Sequence, residues 1–133
     1  MHVFVIREYE EFSGGRVLLP LQKLVERLSF VEVLFWCLRE ITMACSSSFF
    51  GIAIPDVEKL SRHLSRGIGL ANTDFEAFLH TDFQVIDGYV EGYAGTSREP
   101  LLRIECVDSA QWEVSTDSDG IASELARRGF SRK

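Results

Sequence analysis

The sequence predicts an α+β fold: a single domain over 1–133, with a mostly antiparallel sheet of about five strands and three to four helices packed on it. Three observations lead there. The segments FQVIDGYVEGY, PLLRIECVD and QWEVSTD are strand-like and follow one another with only turn signals between them, so the regular strand-helix alternation of a doubly wound sheet is missing. Segments with helical periodicity stand on both sides of that run. The 133 residues are 46% hydrophobic, enough to bury a core without disulfides or metals, and no repeat, linker or low-complexity tract divides them.

Taken in order, HVFVIRE sets Val3 and Val5 against Phe4 and Ile6 and predicts a first strand buried on both faces. EEFSGGR breaks it, since Gly14 and Gly15 supply turn conformations. LLPLQKLVERL puts Leu21, Leu24, Val25 and Leu28 on one helical face, with Pro20 tolerated in the first turn and Ser29 at the end. The next segment, FVEVLFWCLREITMAC, reads two ways. As a helix it joins Val31, Leu34, Phe35, Leu38 and Ile41; its aromatic and β-branched composition favours a strand from about Val33 to Met43.

SSSFFGIAIP passes through a polar loop into a short apolar run. Pro55 and Asp56 then open a helix in which Val57, Leu60 and Leu64 point inward and Gly67 supplies the stop. Thr73 and Glu76 have capping-box spacing ahead of a short helix carrying Phe75, Phe78 and Leu79. After the three strands, DGIASELARRGF predicts a closing helix with Ile121, Ala122 and Leu125 inward and Gly129 near its end.

A formal net charge of -6 disfavours direct binding to nucleic acid, whose phosphates demand clustered Lys and Arg, and suits a basic partner. From Thr81 to Asp119 nine acids stand against Arg98 and Arg103 alone, whereas the closing ELARRGFSRK leans basic. No stretch approaches the roughly 20 apolar residues of a membrane helix. The opening MHVFVIREYEEF lacks a basic start and a small-residue cleavage site, and Cys37, Cys45 and Cys106 are odd in number with no paired spacing. The expectation is a cytoplasmic protein with reduced thiols, no membrane association, no metal and no cofactor. Gly88, Gly92 and Gly95 lack the Lys-Ser/Thr of a phosphate loop, and turn or packing roles fit them better.

Catalysis finds little footing. His63 and His80 could act as bases and a cysteine as nucleophile, but no spacing connects them. Asp87 and Glu91 share a strand face at about 13 Å, given about 3.3 Å per residue, too far for the roughly 5–9.5 Å of paired glycosidase carboxylates. A carboxylate from another strand, Glu105 or Glu113, would have to join them. Alternation sends Leu102, Ile104, Cys106, Trp112 and Val114 inward with Ile86 and Val90. It leaves Phe83, Val85, Asp87, Tyr89, Glu91 and Tyr93 on the other face. If the three strands are neighbours, one face collects Asp87, Tyr89, Glu91, Tyr93, Arg103, Glu105, Gln111 and Glu113. Such a face is a solvated sheet surface, a surface covered by the segment around Trp36, or an interface. In an interface Tyr provides contact area and carboxylates complement a basic partner.

GIAIPDVEKLSRHLSRGIGLANTDFEAFLHTDFQVIDGYVEGY, followed by LLRIECVDSAQWEVSTDSDGIASELARRGF, resembles a group of small bacterial proteins in which a helix leads to an xQxIDGxxxGY-like strand. An acidic strand, a D-S-x-x-W-E-V element and a terminal helix complete the pattern. Many of them look like immunity proteins of polymorphic toxin systems. The likeness covers about 51–130, leaves the N-terminal third aside, and also favours a strand through Trp36, Cys37 and Leu38. It implies a non-catalytic protein that binds and neutralises a cognate toxin, and transfers neither catalytic nor interface residues. The partner-binding residues expected on charge and alternation are Asp87, Tyr89, Glu91, Tyr93, Glu105 and Glu113. A regulatory or scaffolding module, open to homodimerisation through exposed strands, is the second expectation. A small hydrolase using Glu105, Glu113 or a Cys-His pair is the third.

Overall fold

A computed structural model describes residues 1–45, 54–81, 83–95 and 97–133. The polar loop expected at SSSFFG and the side chains of Cys45, Phe83 and Ile86 lie outside what is described. In chain order the elements are β1 (His2–Ile6), β2 (Tyr9–Phe12), β3 (Gly15–Leu18), α1 (Leu21–Arg27), β4 (Phe35–Cys45) and α2 (Ile54–His63). They continue with β5 (Ile68–Ala71), α3 (Asn72–Leu79), β6 (Phe83–Tyr93), β7 (Leu102–Val107), β8 (Gln111–Thr116), α4 (Asp119–Arg127) and β9 (Ser131–Arg132).

The α+β class holds, with more strands than the sequence predicts. Seven form one sheet in the order β5-β4-β6-β7-β8-β1-β9, and β2-β3 is a separate hairpin. All its pairings are antiparallel. The extra strands are short. The break expected at EEFSGGR is the turn of the hairpin, β5 stands where Gly67 to Gly69 read only as a helix end, and β9 has two residues. Segments of two to four residues carry too few alternations to register as a period.

One face of the sheet carries Phe4, Ile6, Trp36, Leu38, Val90, Leu102, Ile104, Cys106, Trp112 and Val114, all buried in a single cluster. The helices complete it with Leu21 and Leu24 from α1, Val57 from α2, Phe75 and Phe78 from α3, and Ala122 and Leu125 from α4. Burying such side chains contributes about 1.5–3 kcal/mol each. Trp112 is inward as its alternation predicts, and its indole N–H donates to the Leu19 carbonyl at 2.7 Å. The ambiguous segment is the strand β4, because it lies between two partners, β5 and β6, and contributes Trp36 and Leu38 to the core.

Three local expectations fail. Leu60 and Leu64 are exposed rather than inward, because α2 turns Val57 and the buried Ser61, one helical turn apart, toward the sheet. The capping box is not made: α3 starts at Asn72 with Ala71 as N-cap and no side-chain cap. Val85 joins the core instead of the opposite face. The cause of the last is a pair of backbone irregularities. Glu40 has φ 49° and Gly88 φ 112°, and the β4-β6 register shifts on both sides of Thr42. A bulge resets which residues face inward, so simple alternation does not carry across it.

Candidate protein-binding face

The opposite face of β4, β6, β7 and β8 is built from cross-strand pairs. Antiparallel register sets Phe35 against Tyr93, Cys37 against Glu91, Arg39 against Tyr89, Tyr89 against Glu105, Glu91 against Arg103, and Glu105 against Glu113. The three strands expected to be neighbours are neighbours, and the six predicted residues Asp87, Tyr89, Glu91, Tyr93, Glu105 and Glu113 stand on β6, β7 and β8.

Their exposures differ widely. Asp87 is exposed, and Tyr89, Glu105 and Glu113 are half-buried. Glu91 and Tyr93 are each only 7% exposed, so they support the face more than they present it. Neighbours on the same face do the covering. The Phe35 and Tyr93 rings stack at 4.9 Å and 5°, and Arg39 Nη1 donates to Glu91 Oε1 at 3.0 Å. That hydrogen bond is the leading reason the Arg39 guanidinium is held above its ordinary pKa.

The carboxylates also have cations of their own. Arg103 reaches Glu105 at 3.1 Å. Lys133 Nζ donates to both oxygens of Glu113 at 3.1 Å, and Gln111 Nε2 donates to Glu113 Oε2 at 2.9 Å. Asp87 has no ion pair among the described residues; its Oδ1 accepts from the Gly88 N–H at 2.9 Å. It borders a shallow hollow of about 370 Å³ with Glu40, Arg62, Tyr89, Arg103 and Glu105. Tyr89 lies between two guanidiniums, Arg103 Cζ at 3.6 Å and Arg39 Cζ at 5.3 Å from its ring centroid.

The face is therefore a lattice of alternating charges around a clamped tyrosine rather than a uniformly acidic surface. Arg103 stands on this face as expected, and Arg39 and Lys133 are the cations that the sequence reading omits. Arg39 and Arg103 were legible, since each alternates along its strand with residues of the same face. Lys133 reaches Glu113 only through the fold: its backbone N–H donates to the Val3 carbonyl at 2.9 Å, beside β8.

Such an arrangement suits recognition. Side chains already held by their neighbours lose little freedom when a partner arrives. The thiols of Cys37 and Cys106 are protected too. Burial pushes the Cys106 thiol up to about 11 and raises that of Cys37, which suppresses the nucleophilic thiolate. His63 is exposed on α2, and the His80 ring meets the Gln22 amide at 3.1 Å. Among the described residues no three His, Cys, Asp or Glu side chains gather to hold a metal ion. No helix among them is long and apolar enough to cross a membrane. No family model, curated protein or solved structure matches the chain.

Proposed function

We propose that this chain is a non-catalytic binding protein, and specifically an immunity protein that neutralises a cognate bacterial toxin by occluding it. The toxin is engaged by the sheet face around Tyr89. The observation that carries the binding role is the fixed geometry of that face: Tyr89 is held between Arg39 and Arg103, and each guanidinium is itself tied to a carboxylate. A side chain already ordered loses little entropy when a partner arrives, and Tyr and Arg are enriched among residues that dominate binding energy.

The toxin class rests on the likeness of FQVIDGYVEGY and DSAQWEV to small immunity proteins. The net charge of -6 favours a partner with a basic surface through long-range attraction, which acts on the association rate even where local charges are paired.

The test is protection of growth. Expression of a large toxin gene adjoining this one should arrest growth, and co-expression of this chain should restore it. A folded Tyr89→Ala, Asp87→Lys double variant should restore it poorly. Full protection by that variant removes the face from the proposal. Harmless deletion of this gene beside an intact toxin gene removes the function.

A further inference from the structure

On the helical side of the sheet, away from Tyr89, a cleft of about 600 Å³ lies between α1, the segment leading into β4, and α3. Its walls include Val25, Leu28, Val31, Leu34, Trp36 and Leu79, and three carboxylates, Glu26, Glu32 and Glu76, stand around it. No Lys or Arg is among the described lining residues, and none of the three carboxylates has an ion-pair partner among the described residues. They contrast with Glu91, Glu105 and Glu113 on the opposite face, each of which has its own cation.

Leu34 is the unusual member. It is 61% exposed, yet its backbone is fixed on both sides, its N–H donating to the Tyr93 carbonyl at 2.8 Å and its carbonyl accepting from the Asn72 N–H at 3.0 Å. A large apolar side chain is thus held outward by a rigid backbone. The polar groups around it are already used. Trp36 Nε1 donates to Asn72 Oδ1 at 3.1 Å, and the Gln22 amide meets His80 Nδ1 at 3.1 Å. Apolar surface and negative charge are what the cleft leaves unanswered. Its size falls within the roughly 300–1,000 Å³ of ligand pockets.

We infer that this cleft docks a short basic segment of a partner protein. The segment inserts an aliphatic or aromatic side chain against Leu34 and Trp36 while flanking Lys or Arg residues meet Glu26, Glu32 and Glu76. Charge complementarity selects this occupant: an apolar anchor alone leaves three carboxylates unmatched, and an acidic segment is repelled by them. The cleft is separate from the sheet face, so its docking does not depend on the toxin-binding reading.

The probe is a blocked peptide, Gly-Lys-Lys-Leu-Phe-Lys-Lys-Gly, titrated into the isotope-labelled full chain. Expected are saturable NMR shifts of the Trp36 indole N–H and the Leu34 and Asn72 amides. Affinity should fall about ten-fold or more, a loss of about 1.4 kcal/mol per decade, in Leu34→Asp and in the triple variant Glu26→Gln, Glu32→Gln, Glu76→Gln. Because these four side chains are exposed, an unchanged remainder of the spectrum certifies the fold of each variant. Tyr89→Ala should leave the titration unaltered, which separates this site from the sheet face.

The inference is overturned if the peptide produces no shifts at millimolar concentration. It is equally overturned if a version with Ser in place of Leu-Phe, or with Glu in place of Lys, binds as well. Concentration-dependent shifts at the same residues without peptide would assign the cleft to a second copy of this chain and overturn it too.

Discussion

Arg103 on β7 sets its guanidinium carbon 3.6 Å from the ring centroid of Tyr89 on β6, while its Nη2 donates to Glu105 Oε1 at 3.1 Å. One arginine thus orders both an aromatic and a carboxylate on the exposed face. Arg103→Ala is expected to lower stability by about 0.5–1 kcal/mol, the range for an exposed cation–π contact. Arg103→Lys should recover part of that. Urea unfolding checks it, and equal midpoints for wild type and Arg103→Ala would show that the contact contributes nothing.

Ser61 supports the outer edge of β4 where β5 does not reach. β5 pairs with Phe35 to Leu38. Beyond it, Ser61 Oγ accepts from the Ile41 N–H at 3.1 Å and donates to the Glu58 carbonyl at 2.7 Å, and Glu58 Oε1 accepts from the Met43 N–H at 3.4 Å. α2 therefore stands in for a strand and blunts an otherwise open edge. Ser61→Ala strands a buried donor and should cost about 1–3 kcal/mol. Thermal unfolding and amide exchange at Ile41 read the loss; unchanged Ile41 protection would contradict it.

Gly88 marks the bulge that turns Val85 inward. Its φ is 112°, and a Cβ there would stand 2.6 Å from both the Glu40 carbonyl oxygen and the Ile41 Cα. Both obstacles are backbone, so neither can swing away. Gly88→Ala should destabilise by about 2 kcal/mol or more, combining strain with a displaced β4. A variant as stable as wild type in denaturant would mean the bulge relaxes freely.

Cys106 is fully buried, and its thiol donates to the Val85 carbonyl at 3.6 Å. Burial is the main cause that moves its pKa from the ordinary 9.0 to about 11. Near pH 8 that cuts the thiolate fraction about 100-fold. In a Cys45→Ser background, iodoacetamide should therefore modify Cys106 far more slowly in the native protein than in the unfolded chain, quantified by peptide mass spectrometry. The linked stability follows in sign. The folded state keeps the proton to about 11 and the unfolded chain releases it near 9.0, so this contribution is complete below pH 9 and declines as pH rises toward 11. A Cys106→Ala variant should lose that part of the alkaline decline; an identical slope would rule out this thiol as its source.

Periodicity made much of this legible. The alternations in LLRIECV and QWEVST placed Ile104, Cys106, Trp112 and Val114 inward and Arg103, Glu105 and Glu113 outward, because unbroken strands keep a period of two. β6 escaped the same reading at Val85 because the bulge lies in a backbone relationship with Glu40, forty-odd residues away. The direction of α2 escaped it too, because Val57, Leu60, Ser61 and Leu64 all fit one helical stripe and the edge of β4 decides which part of that stripe is buried.

By itself the sequence determined the α+β class, the central run of antiparallel strands, the inward tryptophan and the shared face of Asp87, Tyr89, Glu91 and Glu105. These depend on local period and on the order of elements, both written along the chain. Only the tertiary structure decided the electrostatic character of that face and the position of the unpaired carboxylates. A count of acids ignores where cations arrive from other strands. Lys133 meets Glu113, Arg39 meets Glu91, and Glu26, Glu32 and Glu76, which have no ion-pair partner among the described residues, border one cleft only once the chain has folded. Charge adds along a chain, but an ion pair forms at about 3 Å, a distance that folding alone sets.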